Sequence, residues 1–131
     1  MELWEFLDHL QRRPGMWGLD GSFGQYAAFL EGYGTAEGRA LEGWREWLVV
    51  QLDGGNNLGW QGLVHRLALP DWEPGYLPLD EVQDKAVVVA LFRLLNQFVA
   101  ERESGGGALS VKAVHQAWME RQSWYRPQEP S

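Results

Sequence analysis

The sequence predicts an all-α protein: a single compact bundle of five or six helices around a central apolar helix at about residues 80–102. Three observations support this prediction. Apolar residues recur every three or four positions in each long segment, which is the period of a helix. Glycine, proline and capping residues lie where such helices should begin or end. No two segments show the alternating pattern that a pair of neighbouring strands requires.

The first helix is predicted at about residues 2–12, and a turn should end it. Its apolar stripe consists of Leu3, Phe6, Leu7 and Leu10. The turn is a structural joint formed by Arg13, Pro14, Gly15, Met16 and Trp17. Pro14 disfavours the helical conformation at the residue before it, and Gly15 gives the backbone extra freedom. We expect the joint to turn Met16 and Trp17 onto the core.

The next three helices are predicted from residues that typically begin or end a helix. Ser22 and Gln25 have the spacing of a capping box at the start of the second helix, which should end near Gly32 and Gly34. A third apolar stripe follows at Leu41, Trp44, Leu48 and Leu52. Asn57 can cap a short fourth helix that stops before Pro70. The third and fourth helices should form an αα-hairpin.

The fifth helix is predicted at about residues 80–102. Val87, Val88 and Val89 are β-branched and could indicate a strand, but the helical pattern continues around them for many turns. Residues 104–108 are expected to be a flexible connector, and Ser110 can cap a last helix. Its inward residues should be Val111, Val114 and Trp118, and Tyr125 could join them. Residues 127–131 should fray, and residues 1–131 should form one domain.

Composition limits the possible partners and locations. The 131 residues include no cysteine, which excludes disulfides and thiolate metal sites and fits a reducing compartment. The acidic start is unlike a signal peptide, and the longest apolar run, 86–92, is too short to span a membrane. A cytoplasmic location is therefore expected. The net charge of −7 disfavours nucleic acid and anionic membranes and favours a basic partner.

Residues that could perform chemistry are present but are not arranged for it. His9, His65 and His115 lie on three different predicted helices, without the close spacing of zinc ligands. Ser22 and Ser110 are better explained as helix caps than as nucleophiles. The sequence therefore predicts a binding protein with no enzymatic activity, no metal and no cofactor.

A stretch between the fourth and fifth helices is rich in acids and contains no base. Its acids are Asp71, Glu73, Asp80, Glu81 and Asp84. They could form a solvated loop and an acidic first helical turn, or a docking surface for a basic partner. Trp72 lies between two of them and would be the aromatic anchor of that surface.

The other tryptophans divide into two groups. Those on or beside apolar stripes should belong to the core, and they are Trp4, Trp44, Trp60 and Trp118. Those harder to place inward are Trp17, Trp47, Trp72 and Trp124. Exposed tryptophan beside acids is typical of an interaction surface, although a carbohydrate-binding platform would use similar residues.

Several segments together are similar to a family of small bacterial proteins with a helix, an RPGMY/W-type turn and an aromatic-rich second helix. The matching segments are Leu3–Leu10, Arg13–Gly18, Ser22–Tyr33, Leu41–Leu48, Gly59–Val64 and Ala90–Phe98. The resemblance implies an immunity or antitoxin protein that neutralises a cognate, basic protein toxin by occluding its active surface.

Two alternatives remain open. The Arg12–Gly18 loop, whose RPGM also resembles a short loop of type II topoisomerase ATPase subunits, could belong to a small hydrolase or a nucleotide-binding protein. A helical ligand-binding module would instead contain an apolar cavity lined by tryptophan and tyrosine.

Overall fold

The computed structural model describes residues 1–71 and 78–127. A short 3₁₀ helix, Pro14–Trp17, follows the first of six α-helices. The α-helices are α1 Leu3–Arg12, α2 Phe23–Ala36, α3 Trp44–Leu52, α4 Trp60–Ala68, α5 Glu81–Gly105 and α6 Ala108–Glu120. These described ranges contain no strand, so the predicted all-helical fold is confirmed.

The 25-residue helix α5 is the centre of the bundle, as predicted. It packs against each of the five other α-helices, and it buries residues on several sides of its circumference. A helix that is surrounded by neighbours must be apolar over most of its surface, which is the pattern that the sequence shows. Throughout the described ranges, every helix is too short or too polar to traverse a lipid bilayer.

The joint ends α1 as expected, but of its two large apolar side chains, Met16 and Trp17, only Trp17 packs against the core. Residues 14–17 form the 3₁₀ helix, and Gly18 ends it in the left-handed region at φ 75°. Trp17 is 40% exposed and packs edge-on against Phe6, with ring centroids 5.3 Å apart. Met16 is 71% exposed, so its predicted burial is wrong. Successive residues of a 3₁₀ helix point about 120° apart, so the two side chains cannot both face the core.

Helix α2 begins at its predicted cap and ends later than predicted. Ser22 Oγ accepts a hydrogen bond from the Gln25 N–H at 3.4 Å, whereas the Gln25 side chain accepts one from the Asp20 N–H at 2.7 Å. The helix continues through Gly32 and Gly34 to Ala36. Glycine weakens a helix by about 1 kcal/mol but does not end one when the flanking turns can pack.

Helices α3 and α4 form the expected hairpin, with later starts than the sequence predicted. Helix α3 begins at Trp44, because Gly43 before it has a φ of 91° that no helix can include. A side chain on Gly43 would also crowd Val111, at 3.2 Å. The N-cap of α4 is Gly59, not Asn57.

The connector between α5 and α6 is shorter than the predicted 104–108. Ser104 and Gly105 belong to α5, and Gly106 and Gly107 alone make the turn. Ser110 therefore lies inside the first turn of α6 and is not its cap. The buried residues of α6 are Val111, His115 and Trp118, whereas Val114 is exposed, contrary to the prediction. Of the predicted frayed tail, residues 128–131 lie outside the described residues.

Two tryptophans lie where the helical stripes did not place them. Trp4 is 58% exposed, because α1 turns only the stripe of Leu3, Phe6, Leu7 and Leu10 inward. Trp47 is buried, because α3 packs against α4, α5 and α6 and so has more than one apolar face. Trp44 and Trp118 are core residues as predicted, and Trp60 is half-buried against the core.

A buried arginine fastens the irregular connection between α2 and α3 to the central helix. Arg102 donates to the main-chain carbonyls of Ala40 and Glu42, at 2.8 and 3.2 Å. Its guanidinium lies 4.9 Å from the centre of the Phe98 ring, a cation–π contact. Lys112 of α6 adds an ion pair with Glu42 at 2.6 Å.

Candidate functional site

The starts of α2 and α5 and the end of α4 meet at one end of the bundle. The Phe23 N–H in the first turn of α2 points at the Asp84 carboxylate, with both oxygens at 3.3 Å. The Phe23 ring lies 4.8 Å from the ring of His65, in the last turn of α4. The joint is adjacent, because the Pro14 ring would lie 3.7 Å from a side chain built on Gly21.

This meeting point gathers several carboxylates. We call it the acidic end and define it by Asp20, Asp71, Asp80, Glu81 and Asp84. Four of these were predicted as partner-binding residues, and Asp20 was not. The other two predicted contact residues, Trp72 and Glu73, lie outside the described residues.

Asp80 is the N-cap of α5. Its carboxylate accepts from the Gln83 N–H at 2.7 Å, and the Gln83 side chain accepts from the Asp80 N–H at 3.0 Å. This reciprocal capping box satisfies two main-chain donors that the helix itself cannot. Asp80 is exposed, so it can stabilise the helix and still present negative charge to solvent.

Asp84 differs from the prediction. We expected an exposed acid in the first turn of α5, but the side chain is half-buried and points at the start of α2. A carboxylate at a helix N-terminus stabilises it through the main-chain N–H and the helix dipole. Asp84 is therefore a structural residue. Its contact joins residues 61 positions apart, which no local sequence pattern reveals.

Asp20, Asp71 and Glu81 are exposed, like Asp80, and can face a partner. Glu81 pairs with Lys85 at 3.5 Å, but both side chains are more than three-quarters exposed, so the pair is weak. Hydrogen bonds from Ser22 hold the pKa of Asp20 below its ordinary value, so its carboxylate stays ionised. Burial lowers the pKa of His65 beneath this surface, although Asp84 partly opposes the shift. His65 therefore adds little positive charge at neutral pH.

An apolar ledge, Met16 and Trp17, stands beside the acidic end. Trp17 contacts Phe6 and Phe29, with ring centroids 5.3 and 5.9 Å apart, and Phe6 stacks on Tyr33 at 4.4 Å. These rings fill the seam between α1 and α2. The ledge thus has a rigid aromatic foundation and an exposed apolar top.

A groove lies between α2, α3 and α4. This groove has a volume of about 380 Å³, and its walls include Leu30, Glu31, Trp44 and Trp60. The Trp60 indole N–H and the Gln61 amide both donate to Glu31. The Trp44 indole nitrogen is buried without a hydrogen-bond partner among the described residues. Sequence reasoning missed the groove because distant elements form it.

In residues 1–71 and 78–127, no three histidine, aspartate or glutamate side chains are close enough together to hold a metal ion. Comparison with known proteins finds no matching family model, no similar curated protein and no similar solved structure. Function must therefore be inferred from the side chains of this chain.

Proposed function

We propose that this protein is an immunity-like or antitoxin-like binding protein that acts without catalysis. Its partner is a basic cognate toxin, which docks on the acidic end and the adjoining ledge. The bound protein covers the toxin's active surface and so neutralises it.

The observation that carries the proposal is the exposed ledge beside exposed acids. Met16 is 71% exposed and Trp17 is 40% exposed, and the nearby Asp20, Asp71 and Glu81 are also exposed. Protein-binding surfaces commonly combine a central aromatic or methionine contact with a polar rim that stays near water. The resemblance of the joint and of α2 to immunity and antitoxin proteins points the same way.

The mechanism follows from the two kinds of side chain. The net charge of −7 attracts a basic protein over several ångströms and raises its association rate. Once the surfaces meet, removing Met16 and Trp17 from water slows dissociation. Trp72 remains the predicted anchor next to Asp71, and it would extend the apolar contact into the acids.

The test begins with recovery of protein partners from the native host, followed by binding kinetics at two salt concentrations. Reversing two exposed acids, Asp71→Lys and Glu81→Lys, should lower the association rate about tenfold at low salt and flatten its salt dependence. Met16→Ala and Trp72→Ala should instead raise the dissociation rate, each by about tenfold for a contact at the centre of the surface.

Glu120→Lys is the matched control, since it reverses an exposed acid at the end of α6, away from the acidic end. It should change the association rate far less than either single reversal, Asp71→Lys or Glu81→Lys, which alters the net charge by the same amount. A partner whose binding responds equally to Glu120→Lys and to each of these single reversals would contradict the assignment of this surface. Recovery of no protein partner would contradict the function itself.

The alternative, a nucleotide-binding or small-ligand-binding protein, has support from the groove at Trp44 and Trp60. A volume of about 380 Å³ is within the range of small-molecule sites, and two tryptophan side chains line the groove. A rise in melting temperature with ATP that Trp60→Ala abolishes would favour this alternative over the protein partner.

A further inference from the structure

A pocket lies far from the acidic end, near the start of α4. This pocket has a volume of about 350 Å³ and is formed between the loop 53–57 and the end of α6. Residues 54–57 make one wall, and Trp118, Gln122 and Trp124 make the other. Its size falls at the lower end of the range for small-molecule sites.

Long-range contacts hold the loop wall in place. The Asp53 carboxylate accepts from the Trp118 indole N–H at 2.7 Å, and the Asn56 side-chain oxygen lies 3.1 Å from His115 Nε2. Arg45 donates to the main-chain carbonyls of Asn56 and Leu58. The wall is thus set before any ligand arrives, and a preorganised site loses less entropy on binding.

The loop also includes two left-handed backbone conformations, which suit glycine and are uncommon for other residues. Asp53 has a φ of 55°, and Gly55 has a φ of 72°. A side chain on Gly55 would lie 2.7 Å from a methyl carbon of Leu63, so the loop passes directly over the core. Asn56 and Asn57, which follow Gly55 in the loop, line the pocket.

The second wall offers an open aromatic face. Trp124 is 52% exposed and meets Trp118 edge-on, with ring centroids 6.1 Å apart at 61°. The Gln122 amide donates to the Trp118 carbonyl at 2.9 Å, and this bond orients its oxygen as an acceptor. The pocket therefore combines one apolar face with amide groups on its rim.

The charge of the lining limits what can bind. None of the seven lining residues carries an ionisable side chain, and the adjacent Asp53 carboxylate is occupied by the Trp118 indole N–H. Behind the wall, burial lowers the pKa of His115, so that ring adds little positive charge at neutral pH. A charged ligand that loses its hydration needs an opposite charge, and this lining has none.

We propose that this pocket binds a small uncharged sugar, with one face of the pyranose ring on Trp124 and its hydroxyls on the amides of Asn57 and Gln122. The C–H face of a pyranose is apolar and fits against an indole, while its hydroxyls both donate and accept hydrogen bonds. A phosphorylated nucleotide fits poorly, because the lining has no base and the chain carries a net charge of −7.

The test uses the intact protein with ¹⁵N-labelled tryptophan and follows the indole N–H signals by NMR. The probes are methyl glucoside, methyl galactoside and N-acetylglucosamine. At least one of them should shift the Trp124 and Trp118 signals saturably and leave the Trp4 signal unchanged. Trp4 is a suitable internal control, since it is 58% exposed on α1 and does not line the pocket.

Variants then separate a sugar site from a chance surface contact. Trp124→Ala should weaken binding at least tenfold, Trp124→Phe should restore part of it, and Asn57→Ala should weaken it several-fold. Trp4→Ala should leave the affinity unchanged. Melting temperatures of all four variants establish that each one is folded.

Four results would overturn the proposal. One is that no sugar gives a saturable shift at concentrations up to about 100 mM, since a site with a millimolar dissociation constant would be saturated there. Another is an equal loss of binding from Trp4→Ala. Tighter binding of glucuronate than of methyl glucoside would refute the uncharged ligand class, and tighter binding of adenosine than of any sugar would refute the sugar.

Discussion

Replacing Asp84 with alanine should destabilise the fold, although this residue lies within an acidic stretch that the sequence predicts to be a surface. The side chain accepts from the first-turn N–H of α2 through both oxygens at 3.3 Å. A capping carboxylate contributes about 0.5–2 kcal/mol to the free energy of unfolding. Because both distances exceed the usual 2.7–3.2 Å for N–H···O bonds, we expect about 1 kcal/mol.

For a chain of this length, a loss of about 1 kcal/mol corresponds to a fall of about 3–5 °C in melting temperature. Asp84→Asn should recover part of the loss, since the amide oxygen can still accept while the charge is gone. Glu81→Ala is the control, because this neighbour is exposed and makes only a weak surface ion pair with Lys85.

Thermal and denaturant unfolding of the three variants would measure these differences. An equal, negligible change for Asp84→Ala and Glu81→Ala would refute the reasoning and return Asp84 to the partner-binding acids. A change well above 2 kcal/mol would also refute it, because capping alone could not account for that loss.

Three further predictions concern glycines, the ledge and pH. Gly55→Ala should lower the free energy of unfolding by about 1–3 kcal/mol, because a φ of 72° is strained for alanine and the new atom would lie 2.7 Å from a side chain. Gly32→Ala, which has open space around it in α2, should raise the free energy of unfolding by about 0.5–1 kcal/mol. Denaturant titrations would measure both changes. Trp17→Ala should lower the melting temperature by the equivalent of about 2 kcal/mol, less than the 3–5 kcal/mol of a fully buried aromatic, because the ring is 40% exposed. Burial lowers the pKa of His65 and of His115, so the unfolded chain binds protons that the folded chain resists. The free energy of unfolding should therefore be highest above pH 6.5, the ordinary histidine pKa, and should fall as the pH drops below it. His115→Gln, unfolded at several pH values, should show a shallower fall than the unsubstituted protein.

Local patterns predicted the helices and the central position of α5, because each depends on neighbours in sequence. The stop at the joint and the cap at Ser22 follow from single residues whose conformational preferences are strong. The exact starts of α3 and α6 were missed, because each is set by a glycine with positive φ, Gly43 and Gly107. Glycine adopts either sign of φ, so the sequence does not reveal which one it takes.

The exposure of single aromatic residues was harder to predict. Helical spacing assumes one buried face, and α3 has several, so Trp47 was wrongly placed near solvent. The candidate surfaces depend on contacts between distant residues, such as Asp84 with Phe23 and Asp53 with Trp118. Sequence could identify the acids and indoles as unusual, but only the folded arrangement separates those that stabilise a helix from those that face solvent.

The buried guanidinium of Arg102 has a consequence for motion. It holds the carbonyls of Ala40 and Glu42 from within the core, so the connection between α2 and α3 cannot lift away without leaving that charge partly unsatisfied beside Phe98. An irregular segment would ordinarily open on its own, at little cost. Here opening would leave a charge buried against α5 without these two acceptors, so the connection behaves as part of the core that it crosses.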